Sequence, residues 1–263
     1  YQDKHITVHD AVLRSDDVKL SVSGRLGPAE GYMLSVTAES SPGGRSLSFF
    51  SGVEISGSAA VKGTLSGPIN TPRFDGQLTA HRAIIRGIPF TSVEGKLTFA
   101  DKKLMLSETM IRQGLSRYDF DGSVSFLSAE PNFHARLGVS RSDVASIVAL
   151  FYQRLPLDIS ASGEMTFTGS SSDFSGHAFL ELGPGKAYGE SFDSGTVAVD
   201  LTHDRISFSN VLLAKNEGKV RGTGWIGFDG SYDAHVESDG VDLSQIDHLE
   251  ALPLSGPFQL DIR

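Results

Sequence analysis

A block of three alternating stretches recurs along this chain about every 100 residues, and this repeat limits the folds that the chain can adopt. In the clearest copy, residues 194–228, apolar side chains occupy every second position, which is the period of a half-buried β-strand. Turn-forming residues at 203–204 and 216–218 divide the copy into three antiparallel strands. One glycine marks the same position in each copy: Gly24, Gly122 and Gly224. The repeat predicts an all-β chain.

The apolar residues of each copy fall on one face of the predicted strands. They are Leu20, Val22 and Leu26 in the first copy, Leu97, Phe99, Leu104, Leu106, Phe120, Val124 and Phe126 in the second, and Val197, Val199, Leu201, Ile206, Phe208, Ile226 and Phe228 in the third. A sheet face of this width must be buried. A single short helix per repeat is too small to cover it, so the sheet must close, pair with another sheet, or fold along its length.

The same frame sets the predicted segment boundaries. Residues 1–53 form the C-terminal part of a repeat, 54–155 and 156–252 form two complete repeats, and 253–263 form the first strand of the next. The chain opens and stops within repeats, so we expect it to be part of a longer protein.

One short helix is predicted in each complete repeat. Apolar residues at i, i+3, i+4 and i+7 begin at Val144, behind the N-cap candidates Ser142 and Asp143, and predict a helix over 142–153. We expect this helix to cover an edge of the sheet. A related pattern predicts a shorter helix over 242–250.

Two arrangements of the sheet could bury this apolar face. Tandem immunoglobulin-like sandwiches fit the period of about 100 residues, but they need a core tryptophan, whereas Trp225 falls on the face opposite Ile226 and Phe228. A continuous curled sheet fits better, because glycines recur inside strands, as sharp curvature requires. No polar linker separates one repeat from the next. The predicted fold is therefore an elongated, curled antiparallel sheet around an apolar groove.

Charge and composition exclude several functions. The net charge of −9, from 23 basic and 32 acidic residues, provides no basic patch of the kind that nucleic-acid binding requires. The chain has no cysteine, so it forms neither disulfides nor thiolate metal sites. No apolar run approaches the length of about 18 residues that indicates a membrane-spanning helix.

Catalytic and metal-binding motifs are weak. Asp119 and Asp121 share a strand face, as a glycosidase pair would, but this face lies opposite the aromatic residues and is predicted to be solvated. His5 and His9 are the only close histidine pair, too few ligands for zinc. The glycine-rich run 183–189 is predicted to be a loop between strands, since no helix follows it as in a phosphate-binding loop. No serine-nucleophile elbow is present. The sequence predicts a protein that is not an enzyme and needs no cofactor.

Three phrases of the second repeat read Gly-Thr-Leu-Ser-Gly-Pro with Pro-Arg-Phe-Asp-Gly-Gln-Leu (63–78), Ile-Arg-Gly-Ile-Pro-Phe with Val-Glu-Gly-Lys-Leu-Thr-Phe (85–99), and Tyr-Asp-Phe-Asp-Gly-Ser-Val-Ser-Phe (118–126). Together they resemble the AsmA-like superfamily, and its TamB-type members most of all. The resemblance implies a β-taco fold, a periplasmic body, an inner-membrane anchor outside this sequence, and phospholipid transfer toward the outer membrane. For the TamB type it also implies a BamA-like outer-membrane partner and a role in outer-membrane protein assembly.

An apolar groove suits an acyl chain, since each buried methylene contributes about 0.8 kcal/mol without a directional contact. We therefore predict a segment of a periplasm-spanning bridge-like protein that conducts phospholipids between the inner and outer membranes. The apolar residues given above are the predicted groove lining, although the same residues suit a packed sandwich core equally well. Two other functions stay open: an assembly factor for outer-membrane proteins or autotransporters that binds clients by strand addition, and a tandem immunoglobulin-like adhesin or stalk.

Overall fold

The computed structural model describes residues 5–15, 17–27, 31–40, 55–85, 87–149, 155–170, 172–242, 244, 246–247, 257–258 and 261–262. Most of these residues lie in antiparallel strands, which confirms the predicted all-β fold. The chain divides into two compact units, Tyr1–Ala135 and Arg136–Arg263.

The first unit is an antiparallel meander. Its strands are β1 (Ile6–Arg14), β2 (Val18–Gly27), β3 (Gly31–Ser40), β4 (Ile55–Gly67), β5 (Arg73–Ile85), β6 (Ile88–Ala100), β7 (Lys103–Gln113) and β8 (Ser116–Ser125). Each strand pairs with the next one in the chain. Asp101 and Lys102 link β6 to β7 with φ angles of 50° and 59°. Positive φ at both positions makes this the tight hairpin turn that matches the twist of the paired strands.

The second unit continues the same pattern and contains the described helix. Its elements are β9 (Asn132–Asp143, which begins in the first unit), α1 (Val144–Ala149), β10 (Leu157–Gly169), β11 (Phe174–Ala187), β12 (Glu190–Phe192), β13 (Ser194–Thr202), β14 (Arg205–Lys215), β15 (Gly218–Gly227), β16 (Tyr232–Asp239), β17 (Val241–Asp242), β18 (Pro257–Phe258) and β19 (Asp261–Ile262). Strands β10, β11, β13, β14, β15 and β16 pair in chain order, and β12 pairs with the end of β11. β19 pairs with β16, and β18 with β17.

Strand pairing crosses two of the predicted repeat boundaries. In the first unit, β3 pairs with β4 along most of its length, from Tyr32 opposite Gly67 to Glu39 opposite Ala60. In the second unit, β10 pairs with β9, and the backbone N–H of Arg141 donates to Ser162 Oγ at 3.0 Å. Separate sandwiches would end their pairing at such boundaries. The tandem immunoglobulin-like arrangement therefore does not fit this fold.

A β-bulge recurs at one position of the repeat. It follows the pairs Val8–Gly24, Leu106–Gly122 and Phe208–Gly224, where two residues of β1, β7 or β14 face one residue of the next strand. Glu108 and Asn210, in the second and third bulges, have φ angles of 50° and 51°. Because bulges bend a strand and increase its twist, every copy of the repeat carries its own source of curvature.

The helix predicted over 142–153 starts later than expected, because β9 continues as a strand to Asp143. Asp143 is the N-cap, since its carboxylate accepts the backbone N–H groups of Ala145 at 3.2 Å and Ser146 at 3.1 Å. Ser142, the other candidate, is wholly buried, and its hydroxyl has no partner among the described residues. The predicted end of the helix lies outside the described residues.

The second predicted helix, 242–250, is wrong at its start. Asp242 belongs to β17, and its carboxylate accepts the backbone N–H of Ser244 at 2.9 Å, which turns the chain directly after the strand. Ser244 and Asp247 have 3₁₀ geometry. Residues 248–250 lie outside the described residues.

Candidate functional site

Strand register gathers the predicted groove residues of the first unit on one face. Phe99 lies opposite Phe74 in β5 and Leu104 in β7, and Leu104 lies opposite Val124 in β8. The same face carries Leu20, Val22, Leu26, Leu97, Leu106 and Phe120, all of them half-buried. Phe126 lies one residue beyond β8 and is 44% exposed.

The opposite face of the first unit is polar. Lys96 and Glu108 form an ion pair at 2.6 Å. Asp119 pairs with Arg117 at 2.8 Å, and Asp121 accepts the backbone N–H of Glu108 at 2.9 Å. Both aspartates are exposed, as predicted, and each is engaged in one of these bonds on the outer surface of the sheet.

The second unit contains an apolar cavity of about 420 Å³. Val144, Ile147 and Val148 of α1 form part of its lining. β10 and β15 are not neighbours in the sheet, yet Ile159 and Ile226 line the same cavity, so the sheet of this unit curls around it. The other apolar side chains of the lining are Leu155, Leu157, Met165, Phe167, Ala178, Leu180, Leu182, Ala187, Phe192, Val197, Val199, Leu201, Ile206, Phe208, Val211 and Leu213.

Most groove residues predicted in the third copy line this cavity: Val197, Val199, Leu201, Ile206, Phe208 and Ile226. Phe228 does not. It lies one residue beyond β15. Its backbone N–H donates to the Asp204 carbonyl at 2.9 Å, and this bond holds Phe228 beside the turn between β13 and β14. Phe126 repeats this bond with the Lys102 carbonyl at 2.8 Å. The third strand of the repeat, β8 in one copy and β15 in the other, thus ends just before a phenylalanine whose N–H bonds to the preceding turn.

Sequence reasoning missed the lining residues outside the three-strand block. Those of β10 and β11 occupy every second position and were detectable by the same two-residue period: Leu157, Ile159, Met165, Phe167, Ala178, Leu180 and Leu182. Val211 and Leu213 were harder to find. The bulge after Phe208 shifts the apolar positions by one residue, so that a strict alternation assigns Leu212 to the cavity instead.

Glycines on the apolar face lie beneath phenylalanine rings. A Cβ at Gly176 would lie 2.7 Å from the ring of Phe167, and one at Gly122 would lie 2.5 Å from the ring of Phe120. In each case the ring occupies the space of the missing side chain, as in the aromatic covering of glycines in designed sheets.

A polar cluster borders β12 and β14 in the second unit. The side chain of Lys215 is 13% exposed and pairs with Glu190 at 3.2 Å and Asp247 at 3.5 Å. The Asp247 carboxylate accepts the Ser191 backbone N–H at 2.8 Å, and the Asp247 N–H donates to Glu190 at 2.9 Å. The bond from Ser191, with the charge of Lys215, lowers the pKa of Asp247 to about 2. The cluster fastens the chain after β17 to the sheet.

The prediction of a loop over 183–189 is wrong, because β11 continues to Ala187. Gly185 lies within that strand at a close approach to β10, where a Cβ would lie 2.3 Å from the Asp158 carbonyl oxygen. Only Tyr188 and Gly189 remain as a turn.

Metal-ligand geometry, membrane-spanning helices and similarity to known proteins give no further indication of function. His5 and His9 are exposed, and no three histidine, aspartate or glutamate side chains gather as a metal site would require within the part of the chain that the structure describes. No helix among the described residues is both long and apolar enough to cross a bilayer. No protein-family model matches the chain, and neither does any curated protein or solved structure. The resemblance to the AsmA-like superfamily stays a prediction.

Proposed function

We propose that the second unit binds the hydrocarbon chain of a phospholipid in its apolar cavity. The observation that carries this proposal is the chemistry of the lining. Apart from His177 and Tyr188, every residue around the cavity has an apolar side chain or none. The His177 side chain is exposed and pairs with Asp200 at 2.8 Å, so it is held on the outer face of the sheet.

The size of the cavity suits such a ligand. At about 420 Å³, the cavity lies within the range of roughly 300–1,000 Å³ that is typical of small-molecule sites. Each methylene that leaves water contributes about 0.8 kcal/mol, whatever its orientation. A uniformly apolar lining therefore favours an acyl chain without fixing its position, which is what the movement of lipids along a groove requires.

The repeat supports a role for more than one copy. The first unit presents the same apolar face, with the same bulge and the same glycine, on strands that are half-buried. We propose that each copy contacts lipid and that the protein is a non-enzymatic, periplasmic segment of a lipid-conducting bridge. This wider role rests on the sequence resemblance as well as on the cavity.

Lipid retention by a cavity-filling variant tests the proposal. The chain is incubated with vesicles of phosphatidylethanolamine and phosphatidylglycerol and separated by gel filtration, and the retained lipid is measured by mass spectrometry. Val199→Trp fills the cavity, whereas Thr166→Trp adds the same ring to an exposed position on the outer face of β10. We expect wild type and Thr166→Trp to retain phospholipid and Val199→Trp to retain several-fold less. An unliganded wild type, or equal retention by the two variants, would contradict the proposal.

A further inference from the structure

A second, more open cavity of about 480 Å³ adjoins the apolar cavity within the same unit. Phe208, Val211 and Ile226 line both cavities. So do Leu155, which precedes β10, and Tyr188, which follows β11. The open cavity also includes the exposed Tyr232. The two cavities therefore meet along these five shared residues, and Tyr188 lies at the border between them.

Tyr188 occupies a turn that does not favour its side chain. Ala187 pairs with Glu190, so Tyr188 and Gly189 form a two-residue hairpin turn with φ angles of 51° and 90°. This turn prefers asparagine or aspartate before the glycine, and a positive φ is unfavourable for a bulky side chain. A residue held in such a conformation at a cavity suggests a functional reason for its presence.

The chemistry of Tyr188 differs from that of the rest of the lining. Its hydroxyl is the one polar side-chain group around the apolar cavity besides the outward-held His177. The side chain is 59% exposed, and its backbone N–H donates to the Pro156 carbonyl at 3.0 Å, which fixes the turn beside Leu155. A tyrosine presents an apolar ring on one side and a hydrogen-bonding hydroxyl on the other. This combination suits a boundary between hydrocarbon and water.

We propose that Tyr188 is the gate of the apolar cavity: its ring closes the border with the open cavity, and its hydroxyl donates a hydrogen bond to the anionic end of an acyl-chain ligand. The inference rests on the proposed function, because a gate requires a ligand for the cavity. The recognised group is an anionic oxygen at the end of a hydrocarbon chain, which either a fatty acid or a lipid phosphate supplies.

Three variants of the full chain test the gate. Tyr188→Asn removes the ring and supplies the residue that the turn prefers. Tyr188→Phe keeps the ring and removes only the hydroxyl. Tyr232→Ala removes an exposed tyrosine that lines only the open cavity. Stopped-flow fluorescence follows the binding of cis-parinaric acid and of its methyl ester, and thermal unfolding reports stability.

In Tyr188→Asn we expect association and dissociation rates for both probes to rise about tenfold, with an unchanged or higher melting temperature. Tyr188→Phe should keep the wild-type rates for the ester and bind the acid more weakly. Competition by a phosphatidic acid that displaces the fatty-acid probe would identify phosphate as an accepted end group. Failure to compete would show that the site takes fatty acids and not phospholipids, which would overturn the proposed phospholipid binding. Tyr232→Ala should leave all rates unchanged.

The outcomes separate this inference from the function on which it rests. If wild type binds neither probe, the lipid-binding function fails and the gate fails with it. If wild type binds the probes but Tyr188→Asn leaves their rates unchanged, the gate alone is wrong. Faster exchange in Tyr232→Ala, equal to that in Tyr188→Asn, also overturns the gate. Removal of any side chain that lines the open cavity would then speed exchange, and Tyr188 would have no special role.

Discussion

Phe208 lies directly opposite Gly224 in the pairing of β14 with β15, one residue before the bulge. At Gly224, the glycine is required by close contact with the following strand. A Cβ at Gly224 would lie 2.6 Å from the carbonyl oxygen of Asp233 in β16, too near for any side chain without a shift of the backbone. Gly222, on the same face of the same strand, has more room, since its nearest neighbour is the His235 carbonyl oxygen at 3.4 Å.

These two glycines therefore make a matched pair of variants. We expect Gly224→Ala to lower the free energy of unfolding by about 2 kcal/mol, because the strands must separate to admit the methyl group, and Gly222→Ala to change it by less than about 0.5 kcal/mol. Urea denaturation followed by circular dichroism measures both. Equal destabilisation would mean that the close approach at Gly224 is not what excludes a side chain there.

Phe208→Asp should abolish lipid retention while the protein still folds. Phe208 lines the apolar cavity, and a carboxylate there would have to lose its hydration whenever an acyl chain occupied the site. Thr166→Asp is the control, because Thr166 is exposed on the outer face of β10, opposite His177. The measurement is phospholipid retained after gel filtration, with circular dichroism as the check on folding. A folded Phe208→Asp protein with wild-type lipid content would rule out this cavity as the binding site.

The first unit should contact lipid through one face only. A photocrosslinker at Phe120, on the apolar face, should capture phospholipid from vesicles, and one at Thr98, on the polar face, should not. Mass spectrometry of the adducts gives the ratio between the two positions. Labelling of similar extent on both faces would show nonspecific contact.

Two adjacent residues at the start of α1 should respond in opposite directions to substitution by alanine. Asp143→Ala removes both hydrogen bonds of the N-cap and should lower stability by about 1 kcal/mol. Ser142→Ala removes a wholly buried hydroxyl without a partner in the described structure and should raise stability by about 1 kcal/mol. Urea unfolding curves distinguish them. A loss of stability in Ser142→Ala would indicate that its hydroxyl has a stabilising role.

Acid should release the segment after β17 from the sheet. The pKa of Asp247 is lowered to about 2 in the folded chain, below the value of about 3.9 for an unfolded chain. Its contribution to stability is therefore complete above about pH 4 and is lost as the pH falls toward 2. Hydrogen exchange should show the Ser191 N–H, which donates to Asp247, protected at pH 5 and less protected at pH 2.

Asp247→Ala provides the control for this acid effect. It should remove protection of the Ser191 N–H already at pH 5 and spare the Asn216 N–H, which donates to Asp193 at 2.6 Å. Equal protection of the Ser191 N–H in wild type at pH 5 and pH 2 would show that protonation of Asp247 does not release this segment.

The repeat made the strands and their apolar face predictable. Alternation placed Val199, Leu201 and Phe208 on the face that lines the cavity, because side chains in a strand point to opposite sides in turn. The position of Phe228 was not predictable in this way, since the end of a strand depends on the turn bond to Asp204.

The lining beyond the bulge and the border residue Tyr188 needed the structure. One extra residue in β14 reverses which positions face the cavity, and alternation alone does not show where such a residue sits. The apolar alternation shifts by one residue at the same repeat position in all three copies. An alignment of the copies with one another could therefore have located the bulge. The run 183–189 was predicted to be a loop because no helix follows it, whereas Gly183 and Gly185 lie within β11 at close contacts with β10, and only Tyr188 and Gly189 form a turn.

The bulge also constrains how the copies can change in length. Loss of Asn210 would rotate Val211 and Leu213 out of the cavity and into water, whereas replacement of Asn210 would leave their direction intact. Accordingly, β7 and β14 are both 11 residues long, and β8 and β15 are both 10, although few of their residues are identical. Between these two copies, therefore, residue types vary within the apolar alternation while the strand lengths stay equal.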